Sequence, residues 1–213
     1  ASAYWNASVM ESERGAIRDA VPLAERALAL LGEGQDARNL ARLRTQLGSM
    51  QLRLDPPRVA EAQQQLEQAG RELEWSSAGQ VDVAWNDVEL ARAFLLAGDS
   101  SQARALSRQV HDSVSVQAPL VAAEAKALEG QAAAAEDDLD AAARAYQEAV
   151  HTLTGIGADR SAAQLWFDLA GLLEEVDQLD AARDAYRSAA ASSGLQVAPR
   201  PVRSTTPDRV QTS

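Results

Sequence analysis

Apolar and small residues recur along this chain in pairs of helical stripes. Near the C-terminus Trp166, Leu169, Ala170 and Leu173 stand at the three- and four-residue spacing of an amphipathic helix, and Ala182, Tyr186 and Ala189 continue the spacing in a second helix. The same order returns upstream. Gly130, Ala142, Tyr146 and Ala149 repeat it, with Lys126 and Glu129 at the Trp and Leu positions. Leu90, Ala91, Phe94, Gly98, Ala103 and Val110 repeat it again with Ser107 replacing the aromatic. Leu47, Gly48, Ala62, Leu66 and Ala69 follow, with Asp55-Pro56-Pro57 lengthening the turn, and Tyr4, Ala7, Ser8, Gly15, Ala20, Ala24 and Ala27 form a first copy.

The aromatic-equivalent positions 24, 66, 107, 146 and 186 lie about 42, 41, 39 and 40 residues apart. The order Trp, Leu, small, then Ala, aromatic, Ala is that of the tetratricopeptide unit, whose standard length is about 34 residues. The surplus predicts a longer second helix or a longer exit loop in each hairpin. Small residues in the pattern belong where paired helices approach closely. The expected fold is therefore all-α, a tetratricopeptide-like α-solenoid of about five helical hairpins over 1–195, with repeats near 1–33, 37–76, 82–116, 120–155 and 159–194. Gly32-Glu33-Gly34, Ser76-Ser77-Ala78-Gly79, Gln117-Ala118-Pro119 and Gly155-Ile156-Gly157 supply breaks between hairpins. Residues 196–213 carry three Pro and no apolar period, which predicts a disordered tail.

Composition agrees with this fold. Alanine fills 45 of 213 positions and aromatics only 4%, which favours thin, closely packed helices over a β-sandwich. The formal charge of -11 repels phosphate backbones and anionic membranes, so direct nucleic-acid contact and membrane binding are not expected. The absence of cysteine excludes disulfides and thiolate chemistry and suits a cytoplasmic location. No secretory leader or apolar run of membrane-spanning length occurs. The first residue is Ala1 rather than Met, and the helix predicted there is already under way, so a segment upstream is expected.

Repeat positions on the first helix of each hairpin predict a concave face for a protein or peptide partner. They are Trp5, Asn6 and Val9; Arg42, Thr45, Gln46 and Ser49; Trp85, Val88, Glu89 and Arg92; Ala127, Leu128 and Gln131; and Gln164, Phe167, Asp168 and Gly171. Trp5, Asn6, Arg42, Gln46, Trp85, Glu89, Arg92 and Asp168 are the candidate groove residues. Exposed indoles beside polar groups suit a peptide or helix, whereas an apolar stripe at this spacing also suits core. Trp75 and Trp166 are read as packing residues, and Tyr146 and Tyr186 as buried rings.

Other chemistry is sparse. The carboxylates at Glu136-Asp137-Asp138 and at Glu174-Glu175 with Asp177 occupy equivalent turns, where they cap helix N-termini rather than bind a metal. His111 and His151 are too separated for a metal or hydrolase site. Gly155-Ile156-Gly157 has Arg160 where a nucleotide loop needs a third glycine. No cofactor, no metal and no catalytic constellation is expected, so the chain is read as a non-enzyme.

The segments WSSAGQVDVAWNDVELARAFLLAGD (75–99) and GADRSAAQLWFDLAGLLEEVDQLDAARDAYRSAAASSGL (157–195) resemble the C-terminal tetratricopeptide region of actinobacterial helix-turn-helix regulators of the xenobiotic-response-element family. Lys126 alone against 19 Arg suits a high-GC organism. The resemblance implies a sensory and dimerisation half of a transcriptional regulator whose DNA-binding domain lies upstream of residue 1. The alternative is a free-standing scaffold or adaptor with no DNA-linked role. A chaperone-type carboxylate clamp is disfavoured by Glu89, Glu124 and Asp168 on the same face.

Overall fold

The computed structural model describes residues 1–32, 36–156 and 162–195. Among them are ten helices and no strand: α1 (Ser2–Glu13), α2 (Ile17–Leu31), α3 (Ala37–Leu52), α4 (Val59–Glu74), α5 (Gln80–Leu96), α6 (Ser100–Val114), α7 (Pro119–Ala135), α8 (Leu139–Ile156), α9 (Ala163–Glu175) and α10 (Leu179–Ser192). Each odd-numbered helix pairs with the even-numbered helix that follows, and each pair packs on the next. The odd helices α3, α5, α7 and α9 also touch one another in series and form an inner layer, with the even helices outside. This is the all-helical, tetratricopeptide-like solenoid that the spacing predicts. The predicted tail, 196–213, lies outside the described residues, as do Gly157 and Arg160.

The outer helices form because their small and apolar residues make a single stripe. Ala62, Leu66, Ala69 and Leu73 are buried on α4, and Ala142, Tyr146, Ala149 and Leu153 on α8. At the predicted small positions Ser8, Gly48, Ala91, Gly130 and Ala170 are all buried. A Cβ at Gly48 would lie 2.7 Å from Leu66 Cγ, and one at Gly130 only 2.2 Å from Tyr146 Cε1. Glycine is required there by the closeness of two helices. Trp166, too, is core, as expected.

The extra length per repeat does not sit only in the second helix or the exit. In the third hairpin α5 has 17 residues and α6 has 15. In the other hairpins the second helix is as long as the first or longer: α1 and α2 have 12 and 15 residues, α3 and α4 16 each, α7 and α8 17 and 18, and α9 and α10 13 and 14. Asp36, Asp99 and Asp138 cap their helices by accepting from the backbone N–H of Asn39, Gln102 and Ala141. The acidic turn therefore does cap in the fourth hairpin. In the fifth the cap residue is Gln178, whose side chain makes no such bond.

In four of the five hairpins the turn takes a left-handed residue, Gly15 in the first among them. Gly98 supplies it with φ +86°, but Asp137 and Asp177 occupy the equivalent place at φ 61° and 59°. That conformation costs an L-residue roughly 1–2 kcal/mol, less for Asp, while glycine's greater freedom in the unfolded chain offsets part of the gain. Asp137→Gly and Asp177→Gly are each expected to stabilise the fold by about 0.5 kcal/mol, read as a raised midpoint in urea. Unchanged or lowered midpoints in both would contradict the turn geometry.

Candidate peptide-binding groove

The inner layer is built from polar rungs between successive odd helices. At the first seam the Trp5 indole N–H donates to Oε1 of Gln46, tying α1 to α3. Between α3 and α5, Arg38 and Arg42 converge on Asp82 at 2.8 and 2.7 Å. One turn further, Thr45 Oγ1 donates to Asn86 Oδ1 at 2.9 Å, and Asn86 Nδ2 donates to the Leu66 carbonyl at 3.2 Å. Ser49 Oγ then donates to Glu89 Oε1 at 2.9 Å. Between α5 and α7, Arg92 bonds Glu89 on its own helix and Glu124 across the seam.

Charge on this face is unevenly distributed. Burial pushes the Asp82 carboxyl upward, but hydrogen bonds from the Arg42 and Arg38 guanidiniums outweigh it together and hold the group below the usual carboxylate range. Glu124 ends on the other side: burial raises it, Arg92 pulls it down, the carboxylates of Glu89 and Asp168 add to the rise, and the group is pushed up to about 7. Arg92 stays charged. Burial disfavours its cation, yet Glu89 and Glu124 raise its pKa above the ordinary guanidinium value.

A cleft of about 410 Å³ opens at the N-terminal end of this face. Trp5, Arg42, Gln46 and Trp85 line it together with Arg53 and Asp82. Four of the eight candidate groove residues thus share one cavity. Asn6 is exposed on α1 and does not line it. Glu89 and Arg92 stand further along the inner face inside the ion network. Asp168 is exposed on α9, where its Oδ1 accepts from Gln164 Nε2 at 2.8 Å. Trp5 combines both sequence readings of the aromatics, since it packs on the core formed by α2 and α3 while lining the cleft. Trp85 is 40% exposed.

Several expectations need correction. Val88, Ala127 and Leu128, assigned to the inner surface, are buried core: Val88 and Leu128 share an apolar cluster with Val110 and Val114 of α6, and Ala127 shares one with Tyr146 of α8 and Trp166 of α9. Trp75 is 89% exposed rather than packed: it follows α4, off the Leu66, Ala69, Leu73 stripe. Phe167 is 57% exposed and meets the half-buried Tyr186 edge to face, with centroids 5.5 Å apart. Tyr186 is thus not a buried ring like Tyr146. The two aromatics line a second cleft of about 380 Å³ with Leu195, at the last hairpin.

The sequence reading missed Arg38, Arg53, Asp82 and Asn86. Their signal was available in part, since Asp82, Trp85, Asn86 and Glu89 form one three- and four-residue stripe on α5. His111 Nδ1 stands 3.4 Å from the Ala122 carbonyl oxygen, and His151 is exposed. Among the described residues no three acidic or His side chains cluster as a metal site, and no helix is long and apolar enough to cross a membrane.

The chain matches no protein-family model, and a search of curated proteins finds no match. Solved structures are similar in fold. A Rap protein complexed with competence and sporulation factor shares 14% identity at a TM-score of 0.76, over 90% of this chain and 53% of that one. The Rap conjugation gene regulator of the plasmid pLS20, in complex with the Phr* peptide, shares 14% at 0.72, over 90% and 52%. A Podosopora anserina kinesin light chain with nearly identical TPR-like repeats shares 16% at 0.61, over 91% and 94%. The chain spans about half the length of the two Rap chains. Stacked hairpins, a continuous inner layer and these three likenesses converge on one architecture: the chain has a tetratricopeptide-like helical repeat fold.

Proposed function

We propose that the inner face of this solenoid binds a peptide or an extended segment of a protein partner, and that the chain is the sensory and dimerisation part of a cytoplasmic transcriptional regulator with a DNA-binding domain upstream. The observation that carries the binding reading is the cleft where two indoles, an amide and guanidinium groups converge on one inner surface. Aromatic rings supply contact area at low entropic cost, and polar groups beside them orient a backbone. That two proteins of similar fold were solved with a peptide or a competence and sporulation factor supports the same reading.

Regulation requires that the partner bind one arrangement of the hairpins more tightly than another, typically by about 1–3 kcal/mol. The test is selection of binders from an unbiased displayed peptide library, followed by titration of Trp85→Ala. The chain is expected to yield peptides whose affinity falls at least about tenfold in the variant, with helicity retained. Selected peptides indifferent to Trp85 would remove the cleft from the account. For the regulator reading, the chain joined to its native upstream sequence should bind operator DNA with an affinity that the selected peptide changes; no DNA binding by that protein would leave the scaffold reading in its place.

A further inference from the structure

The cleft between α1, α3 and α5 carries a charge opposite to that of the protein as a whole. Arg42 and Arg53 line its α3 side against a single lining carboxylate, Asp82, and Arg38 adds a third cation beside the cleft through its own ion pair with Asp82. The side chains of Arg38 and Arg42 are 42% and 44% exposed even with Asp82 bound. Arg53 donates to Ser12 Oγ at 3.2 Å and, among the described residues, has no carboxylate within 4.0 Å. Asp82 is held ionised by the two guanidiniums, so it neutralises one of the three cations and no more. Glu89, next along the face, is already shared by Ser49 and Arg92. This local excess of positive charge sits on a chain of formal charge -11.

Beyond Glu89 the sign reverses. Glu89 and Glu124 pair with the one guanidinium of Arg92, and the Asp168 carboxylate acts on both Arg92 and Glu124 through its charge. A ligand negative along its whole length would be repelled there, whereas one with its negative charges confined to one end would not.

Resting on the peptide-binding reading above, we propose that this cleft takes the acidic end of a peptide: its carboxylates bind Arg42 and Arg53, and an apolar side chain lies between Trp5 and Trp85. Arg42 and Arg53 are eleven residues apart on and just past α3, three helical turns. They therefore engage two carboxylates on an extended segment rather than one bidentate group. Gln46 sits between them, with its Oε1 occupied by Trp5 and its amide N–H groups left to meet a peptide carbonyl. Residues 196–213 are an unsuitable occupant, because they contain three Arg and one Asp. Long nucleic acid is disfavoured by the acidic remainder of the face.

The experiment uses the full chain and three dye-labelled pools of nine-residue peptides, randomised at apolar and neutral positions. One pool has three fixed Asp or Glu residues at one end, one has Asn or Gln there, and one has Lys. The acidic pool is expected to bind at least about tenfold more tightly than the Lys pool at low salt, and to weaken several-fold as salt rises. Arg42→Glu combined with Arg53→Glu should reverse that order, and Arg42→Gln with Arg53→Gln should abolish it without adding negative charge. Arg26→Glu with Arg187→Glu changes the net charge equally at exposed positions outside the cleft and should leave the order intact.

Equal or tighter binding of the Lys pool overturns the proposal and leaves peptide binding standing. So does an acidic preference that persists in the Gln variant with full helicity. Displacement of the acidic pool by single-stranded oligo-dT at equal charge concentration would make the cleft a general anion site and also overturn it. Failure of every pool, whatever its charge, would remove both this proposal and the reading on which it rests.

Discussion

Tyr146→Ala is expected to cost about 3–5 kcal/mol, measured by urea denaturation, because a fully buried ring is removed where neighbouring helices cannot close the gap. The ring lies over Gly130 and inside a cluster that includes Ala142, Ala149, Leu153 and Trp166. Its hydroxyl is a separate matter. The Tyr146 OH is buried with no hydrogen-bond partner, and burial pushes its pKa upward, so the oxygen makes no compensating bond for the water it lost. Tyr146→Phe should therefore be neutral or stabilising by up to about 1 kcal/mol, in contrast to the alanine variant. Tyr186→Ala, at the half-exposed last hairpin, should cost clearly less than Tyr146→Ala. Losses near zero for Tyr146→Ala, or a strongly destabilised Tyr146→Phe, would contradict the packing of α7 on α8.

Arg92→Met is the second large effect, about 3–5 kcal/mol near pH 8, because it leaves the buried carboxylate of Glu89 and the partly buried one of Glu124 without their shared cation. The loss is pH-dependent in a definite direction. The Glu124 pKa is about 7 in the folded chain against 4.5 ordinarily, so the folded state holds that proton more tightly than the unfolded one. Its contribution to stability is full below about pH 4.5 and is lost as pH rises through about 7. Removing Arg92 deletes the main force lowering that pKa. The gap between Arg92→Met and the parent chain should therefore be larger near pH 8 than near pH 5, where a protonated Glu124 needs no cation. Glu124→Gln should flatten this part of the pH dependence. A gap independent of pH would show that the ion network is solvated in solution. Because Arg92 holds two helices together, Trp85 and Arg42 are better probes of binding at this face.

The core was legible because its stripes tolerate exchange. Ser107 stands where Tyr146 and Leu66 stand, all three fully buried, and the spacing survives the change of residue. Trp75 departs from the packing expected of it because it follows α4 and stands off that helix's buried stripe. Along the inner face, repeat positions indicated Trp5, Arg42, Gln46 and Trp85 as neighbours in register. They gave no sign that Arg42 shares Asp82 with Arg38, a partner some forty residues away. Pairings of this kind depend on how far one helix advances past the next, and that is set by side-chain volumes at the seam rather than by spacing within either helix. The same limit hid the bridge that Arg92 makes between α5 and α7 through Glu89 and Glu124.

The rungs from α3 to α5 bear on how this solenoid can deform. Alanine- and glycine-lined seams are nearly smooth, and by themselves they would let one helix slide along another with little change in packing. Thr45 with Asn86, and Ser49 with Glu89, engage four residues apart on one helix and three on the other. They work as the teeth of a rack, with one setting in which both mesh. Changes in the pitch of the inner layer must then come in whole steps, each unmeshing a tooth, and the seam behaves as a ratchet rather than a spring.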